Sequence, residues 1–102
     1  MSKRIIPHAA KDLMAAKKLI ESPDNWWNGG VCSHRNQHCA ATALSEIVGF
    51  ITEPTDAYKE LSRASQALFG RIPTQVNDTL GHAAVMRMYD HAISLAIEEA
   101  NK

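Results

Sequence analysis

Apolar residues recur at intervals of three and four in four stretches of the chain, a spacing that gathers them on single faces of helices. In the first stretch Ile6, Ala10, Leu13, Ala16 and Ile20 share a stripe while Lys11, Lys18 and Glu21 point elsewhere. This predicts helix one over 9–21, with Pro7 in a first turn where its missing N–H costs nothing. Ser22-Pro23-Asp24-Asn25 then stops the helix and turns the chain. Helix two is expected to begin near His38 or Cys39, bury Ala40, Leu44, Ile47, Val48 and Ile51, and end about Gly49. Thr52-Glu53-Pro54-Thr55-Asp56 reads as the start of helix three, which runs to about Phe69 and ends at Gly70. Its inward residues are Ala57, Leu61, Ala64 and Leu68, with Tyr58 beside them.

Residues 71–76 read as an extended connector from which Ile72 and Val76 plug the core. Asp78 or Thr79 then serves as N-cap of helix four, from about Leu80 to Ala100, with a stripe of Val85, Tyr89, Ala92, Ile93 and Ala96. Met86 and Met88 fill irregular gaps, and Glu98 and Glu99 oppose the dipole, so the last turn should fray. No alternating run calls for a sheet. The prediction is an all-α fold: a single compact four-helix domain over 1–102, with a long ordered loop between helices one and two.

Charge and composition narrow the function more than the fold. The 102 residues carry 11 Lys plus Arg against 11 Asp plus Glu, a balance that lacks the basic excess used on phosphates and so disfavours nucleic acid. Hydrophobic residues at 45% and charged residues at 22% are ordinary for a globular domain, which excludes disorder. The basic start, Met1 to Pro7, is followed by no apolar run of signal-peptide length, and no segment reaches the ~18 apolar residues of a membrane span. A cytoplasmic protein is expected, with no membrane association and with both cysteines as thiols.

The candidate chemistry collects at one place. Cys32, His34, His38 and Cys39 lie in or beside the loop, and Cys39 opens helix two, where the positive end of the dipole favours a thiolate. If helices two and four start at the same end of the bundle, Cys39 as nucleophile, His82 as base and Asp78 as orienter converge, with Asn77 alongside. The alternative is structural: Cys39 a small buried hydrophobe, Asp78 a cap, His82 a hydrogen-bond partner of the loop. Cys32, His34, His38 and Cys39 could also ligate zinc, but adjacent His38 and Cys39 diverge on a helix and no C-x-x-C pair is present, so no metal and no cofactor are expected. Trp26 and Trp27 read first as lids on the core.

These residues carry a resemblance. Residues 19–30 with Trp26 and Gly29, then His38-Cys39-Ala40-Ala41-Thr42-Ala43-Leu44, then Asn77-Asp78 with His82 and Val85, and finally Tyr89-Asp90-His91-Ala92-Ile93, stand in the order of an uncharacterised family of small actinobacterial and phage proteins. The chain resembles that family over most of its length. Trp27 departs from it, standing where the family has a polar residue or Cys, and so does Thr42, where the family tends to have Gly. The resemblance implies that Trp26, Cys39, Asn77, Asp78 and His82 form one recurring cluster, and it implies no activity.

The functional reading is a small non-enzymatic binding or accessory protein of phage or prophage descent, acting on a protein partner through the 26–38 loop. Trp26, Trp27, His34, Arg35 and Asn77 are its binding residues. The first alternative is a thiol enzyme for acyl transfer or hydrolysis using Cys39, His82 and Asp78; the second is a zinc-stabilised domain. A homodimer stays open through Lys59, Arg63 and Gln66 of helix three.

Overall fold

A computed structural model describes residues 5–27, 37–49 and 55–102. Among them the chain is all-helical: α1 (His8–Ile20), a 3-10 turn (Pro23–Asn25), α2 (Ala40–Val48), α3 (Asp56–Phe69), α4 (Pro73–Leu80) and α5 (His82–Ala100). The described helices therefore number five, not the expected four. The 28–36 part of the expected loop lies outside the described residues, as do Cys32, His34 and Arg35.

The additional helix is α4. The connector expected over 71–76 is extended only to Ile72, because Pro73 takes the first helical position, where its fixed φ suits a helix, and the Gln75 side chain turns back to the Ile72 N–H at 3.4 Å. Asp78 and Thr79 are consequently inside α4 and cap nothing; Thr79 Oγ1 donates to the carbonyl of Gln75 at 2.5 Å. Gly81 separates α4 from α5 with φ +92 and ψ 177, a conformation essentially restricted to glycine. The expected boundary at Leu80 thus becomes a break between two helices, and α5 starts at His82.

Long α5 carries the packing, with α1, α3 and α4 laid against it and α2 resting on α1 and α4. Leu13, Ile20, Leu61, Val76, Val85, Met88 and Tyr89 are fully buried. Each stabilises by roughly 1.5–3 kcal/mol as apolar surface leaves water. Between them sit Ala10, Ala16, Ala40, Ala43, Ala57, Ala64, Ala92 and Ala96, small enough to bring helix axes close. The expected stripes hold for these residues. Ile6 and Ile72 depart from them, exposed at 41% and 49%, since each lies just before a helix on backbone that faces away from the core. On α3, Leu68 is only half-buried while Ser65 is fully buried, its hydroxyl satisfied by the Ser62 carbonyl.

α1 and α5 run antiparallel, the end of α1 meeting the start of α5. At the other end Asn101 holds the backbone of Ile5 at both its groups, Oδ1 accepting from the N–H at 2.8 Å and Nδ2 donating to the carbonyl at 2.9 Å. The same Nδ2 donates to the Ile97 carbonyl, so the last turn, expected to fray under Glu98 and Glu99, is tied down. No described helix is long and apolar enough to cross a membrane.

Candidate functional site around Asn77

The polar centre of the molecule is the side-chain amide of Asn77. Asparagine in a helix interior is unfavourable by propensity, and here tertiary bonds override that preference. Asn77 is fully buried on α4, and its Oδ1 accepts from Trp26 Nε1 at 2.7 Å and from the Ala40 N–H at 2.8 Å. Its Nδ2 donates to the Trp27 carbonyl at 2.9 Å and to Asp78 Oδ1 at 3.1 Å. Every donor and acceptor position of the amide is filled, and only one orientation of oxygen and nitrogen meets all four partners.

Three of these bonds converge on the segments flanking residues 28–36. Trp26 and His38 form a parallel bridge in which the Trp27 N–H donates to the His38 carbonyl and the His38 N–H to the Asn25 carbonyl, both at 3.0 Å. Gln37 adds a side-chain bond to the Asp24 carbonyl. On the far side, Tyr89 of α5 donates its hydroxyl to the Ala40 carbonyl at 2.6 Å, so the first residue of α2 is held at both backbone groups. Burial is the main cause that pushes the Tyr89 hydroxyl far above its ordinary pKa, with the charge of nearby Cys39 second.

Cys39 does open α2, as its position in the sequence implies. It is the N-cap, with Sγ accepting from the Thr42 N–H at 3.4 Å and the Thr42 hydroxyl accepting from the Cys39 N–H at 2.8 Å. The thiol is free and only 5% of the residue is exposed. His82 is half-buried, its ring edge-on to Trp26 with centroids 5.4 Å apart, and its Nε2 lies 2.7 Å from the Ile20 carbonyl. Because a carbonyl only accepts, Nε2 carries the hydrogen, which leaves Nδ1 as the ring's acceptor when neutral.

The structure therefore gathers Trp26, Trp27, Cys39, Asn77 and His82, but the bonds of the proposed triad run elsewhere. Among the described residues, Cys39 Sγ bonds within its own cap, Asp78 is exposed and accepts from Asn77, and the hydrogen bond of His82 goes to the end of α1. No three His, Cys, Asp or Glu among the described residues come together as metal ligands. Of the weak zinc set, His38 Nε2 lies 4.0 Å from Glu46 Oε2, Cys39 is in its cap, and Cys32 and His34 are outside the described residues.

Tyr89 is the member of the cluster that sequence reading placed only in the core. Its hydroxyl was the signal available, because a buried tyrosine must find an acceptor for its O–H. Comparison with protein families, with curated proteins and with solved structures gave no match to this chain.

Proposed function

We propose that this is a non-enzymatic binding or accessory protein that meets a protein partner through the 26–38 stretch, with Trp27, His34 and Arg35 among the contacting residues. One observation carries the reading: both ends of residues 28–36 are fastened to the same buried amide, Trp26 and Trp27 on one side and Ala40 on the other. The two ends of the connection are thereby held at one place in the fold, and long connections are where recognition residues concentrate. The resemblance to small phage and actinobacterial proteins fits an accessory role.

The test is the combined substitution of Trp27, His34 and Arg35 by alanine. Helicity and melting should stay close to those of the parent, while the parent chain is expected to capture a protein partner that the substituted chain does not. Equal capture by both proteins would remove the proposal.

The thiol-enzyme reading keeps one favourable observation, the placement of Cys39 Sγ at the start of α2. It requires fast alkylation of the native protein with a midpoint well below that of a free thiol. The cap geometry and 5% exposure lead us to expect alkylation only at the rate of unfolding.

A further inference from the structure

At the end of the bundle away from Asn77, the start of α1, the first two turns of α3 and the last turn of α5 enclose a groove of about 570 Å³, within the size range of small-molecule sites. Its walls are short hydrocarbon: Pro7, Ala9, Ala96 and Ala100. Its charges are the carboxylates of Asp56, Glu60 and Glu99 against the cations of Lys59 and Arg63.

Glu60 distinguishes this groove from a fold in the surface. The residue is only 7% exposed, and its Oε1 accepts from Arg63 Nη1 at 2.6 Å. Its Oε2 is out of contact with bulk solvent and has no hydrogen-bond partner among the described residues. A buried carboxylate oxygen lacking a donor is costly, so a ligand that brings one is favoured by more than its own contacts. Arg63, with half its side chain in solvent, satisfies one oxygen only.

We propose that this groove binds a small primary alkylammonium ion, one N–H donating to Glu60 Oε2 as the carboxylate turns to meet it and its carbon chain lying along Ala96 and Ala100. Four features select that class. Arg63 is committed to Glu60 Oε1 and Lys102 pairs with Glu99 at 3.0 Å, so the buried Glu60 Oε2 is the carboxylate oxygen that calls for a further, charge-assisted donor. A guanidinium gains most when its fork spans both oxygens of one carboxylate, and here Oε1 is taken. A hard metal ion would need six or more oxygens, and the described residues hold no such set. The walls contain no aromatic ring, which suits an aliphatic stem rather than a quaternary ammonium cage.

The experiment is a titration of the full chain with n-butylammonium, followed by backbone amide chemical shifts, with 1-butanol as the uncharged probe of equal length. Saturable shifts confined to Ala9, Glu60, Ala96, Ala100 and their neighbours are expected, with binding at least about tenfold weaker for 1-butanol and for Glu60→Gln, as the loss of a charge-assisted hydrogen bond implies. Ala100→Leu, which fills the groove without touching the carboxylate, should weaken binding as well. Shifts that do not saturate, that scatter over other acidic sites, or that persist unchanged in Glu60→Gln or Ala100→Leu overturn the proposal.

Discussion

At one end of α5 the buried polar group is Asn77, and at the other it is Glu60; both sit inside helices and both are more than nine-tenths buried. Asn77 has four partners, three of them in two other segments of the chain and the fourth in neighbouring Asp78, whereas Glu60 has one, three residues along its own helix. The 19 residues of α5 span about 28 Å between these ends. The contrast teaches what each end is for. A fully satisfied neutral amide fixes backbone in place, and a half-satisfied carboxylate fixes nothing beyond its own helix while keeping a bonding site in reserve.

Breaking the comparison begins at Asn77. Asn77→Ala removes the acceptor of the Trp26 indole N–H and of the Ala40 N–H together with a donor to the Trp27 carbonyl, and should cost about 3 kcal/mol or more in a urea titration. A loss below about 1 kcal/mol, the range of a single ordinary hydrogen bond, would show that the amide is not the fastening point.

Tyr89→Phe removes one bond to the same helix start and should cost about 1–2 kcal/mol. It also has a signature in pH. The hydroxyl keeps its proton in the fold when the unfolded chain loses it, so the stability is whole below the ordinary tyrosine value of about 10 and declines as pH rises above it, by up to about 1.4 kcal/mol per unit. Unfolding curves between pH 9 and 11 (roughly the window around that value) should show this decline in the parent and a shallower one in Tyr89→Phe.

The groove end is expected to respond less. Thr55 caps α3 by accepting from the Tyr58 N–H at 3.1 Å, and Thr55→Ala should cost about 1 kcal/mol, visible as a lower melting temperature with binding at the Asn77 end intact. Smallest of all is Glu60→Gln, expected to change stability by less than about 0.5 kcal/mol, because what it gives up with Arg63 is offset by no longer burying a charge. A large destabilisation there would mean that Glu60 is as structural as Asn77, and the contrast between the ends would be gone.

The sequence made the helices legible wherever a three-four stripe coincided with a stop signal. α1 and α3 follow from Pro7, from the Ser22-Pro23 turn and from Gly70, whose φ of +65 ends α3 as expected. α4 was hidden because Ile72-Pro73 reads equally as extended chain and as the entry to a helix; Gln75, two residues past the proline, is what decides. Asp78 and Thr79 read as caps because their propensities are those of caps, and only partners some 37 to 51 residues away reveal Asn77 as a helix-interior hub. The meeting of the α2 and α5 starts near Trp26, which Asn77 joins from inside α4, could be foreseen in part. Where their hydrogen bonds go could not, because those partners are backbone groups of Ile20, Trp27 and Ala40, which carry no mark in the sequence.

The clasp between Asn101 and Ile5 has a mechanical consequence. It joins the start of α1 to the end of α5, two antiparallel helices whose outer ends therefore lie side by side. A force applied at those two points first opens the clasp and then peels α1 from α5 turn by turn, instead of sliding the two along their whole shared length at once. In a single-molecule trap the protein should consequently yield at low force when pulled from these ends, and resist more when handles are moved to Ile5 and Gly81, which load α1 along its axis.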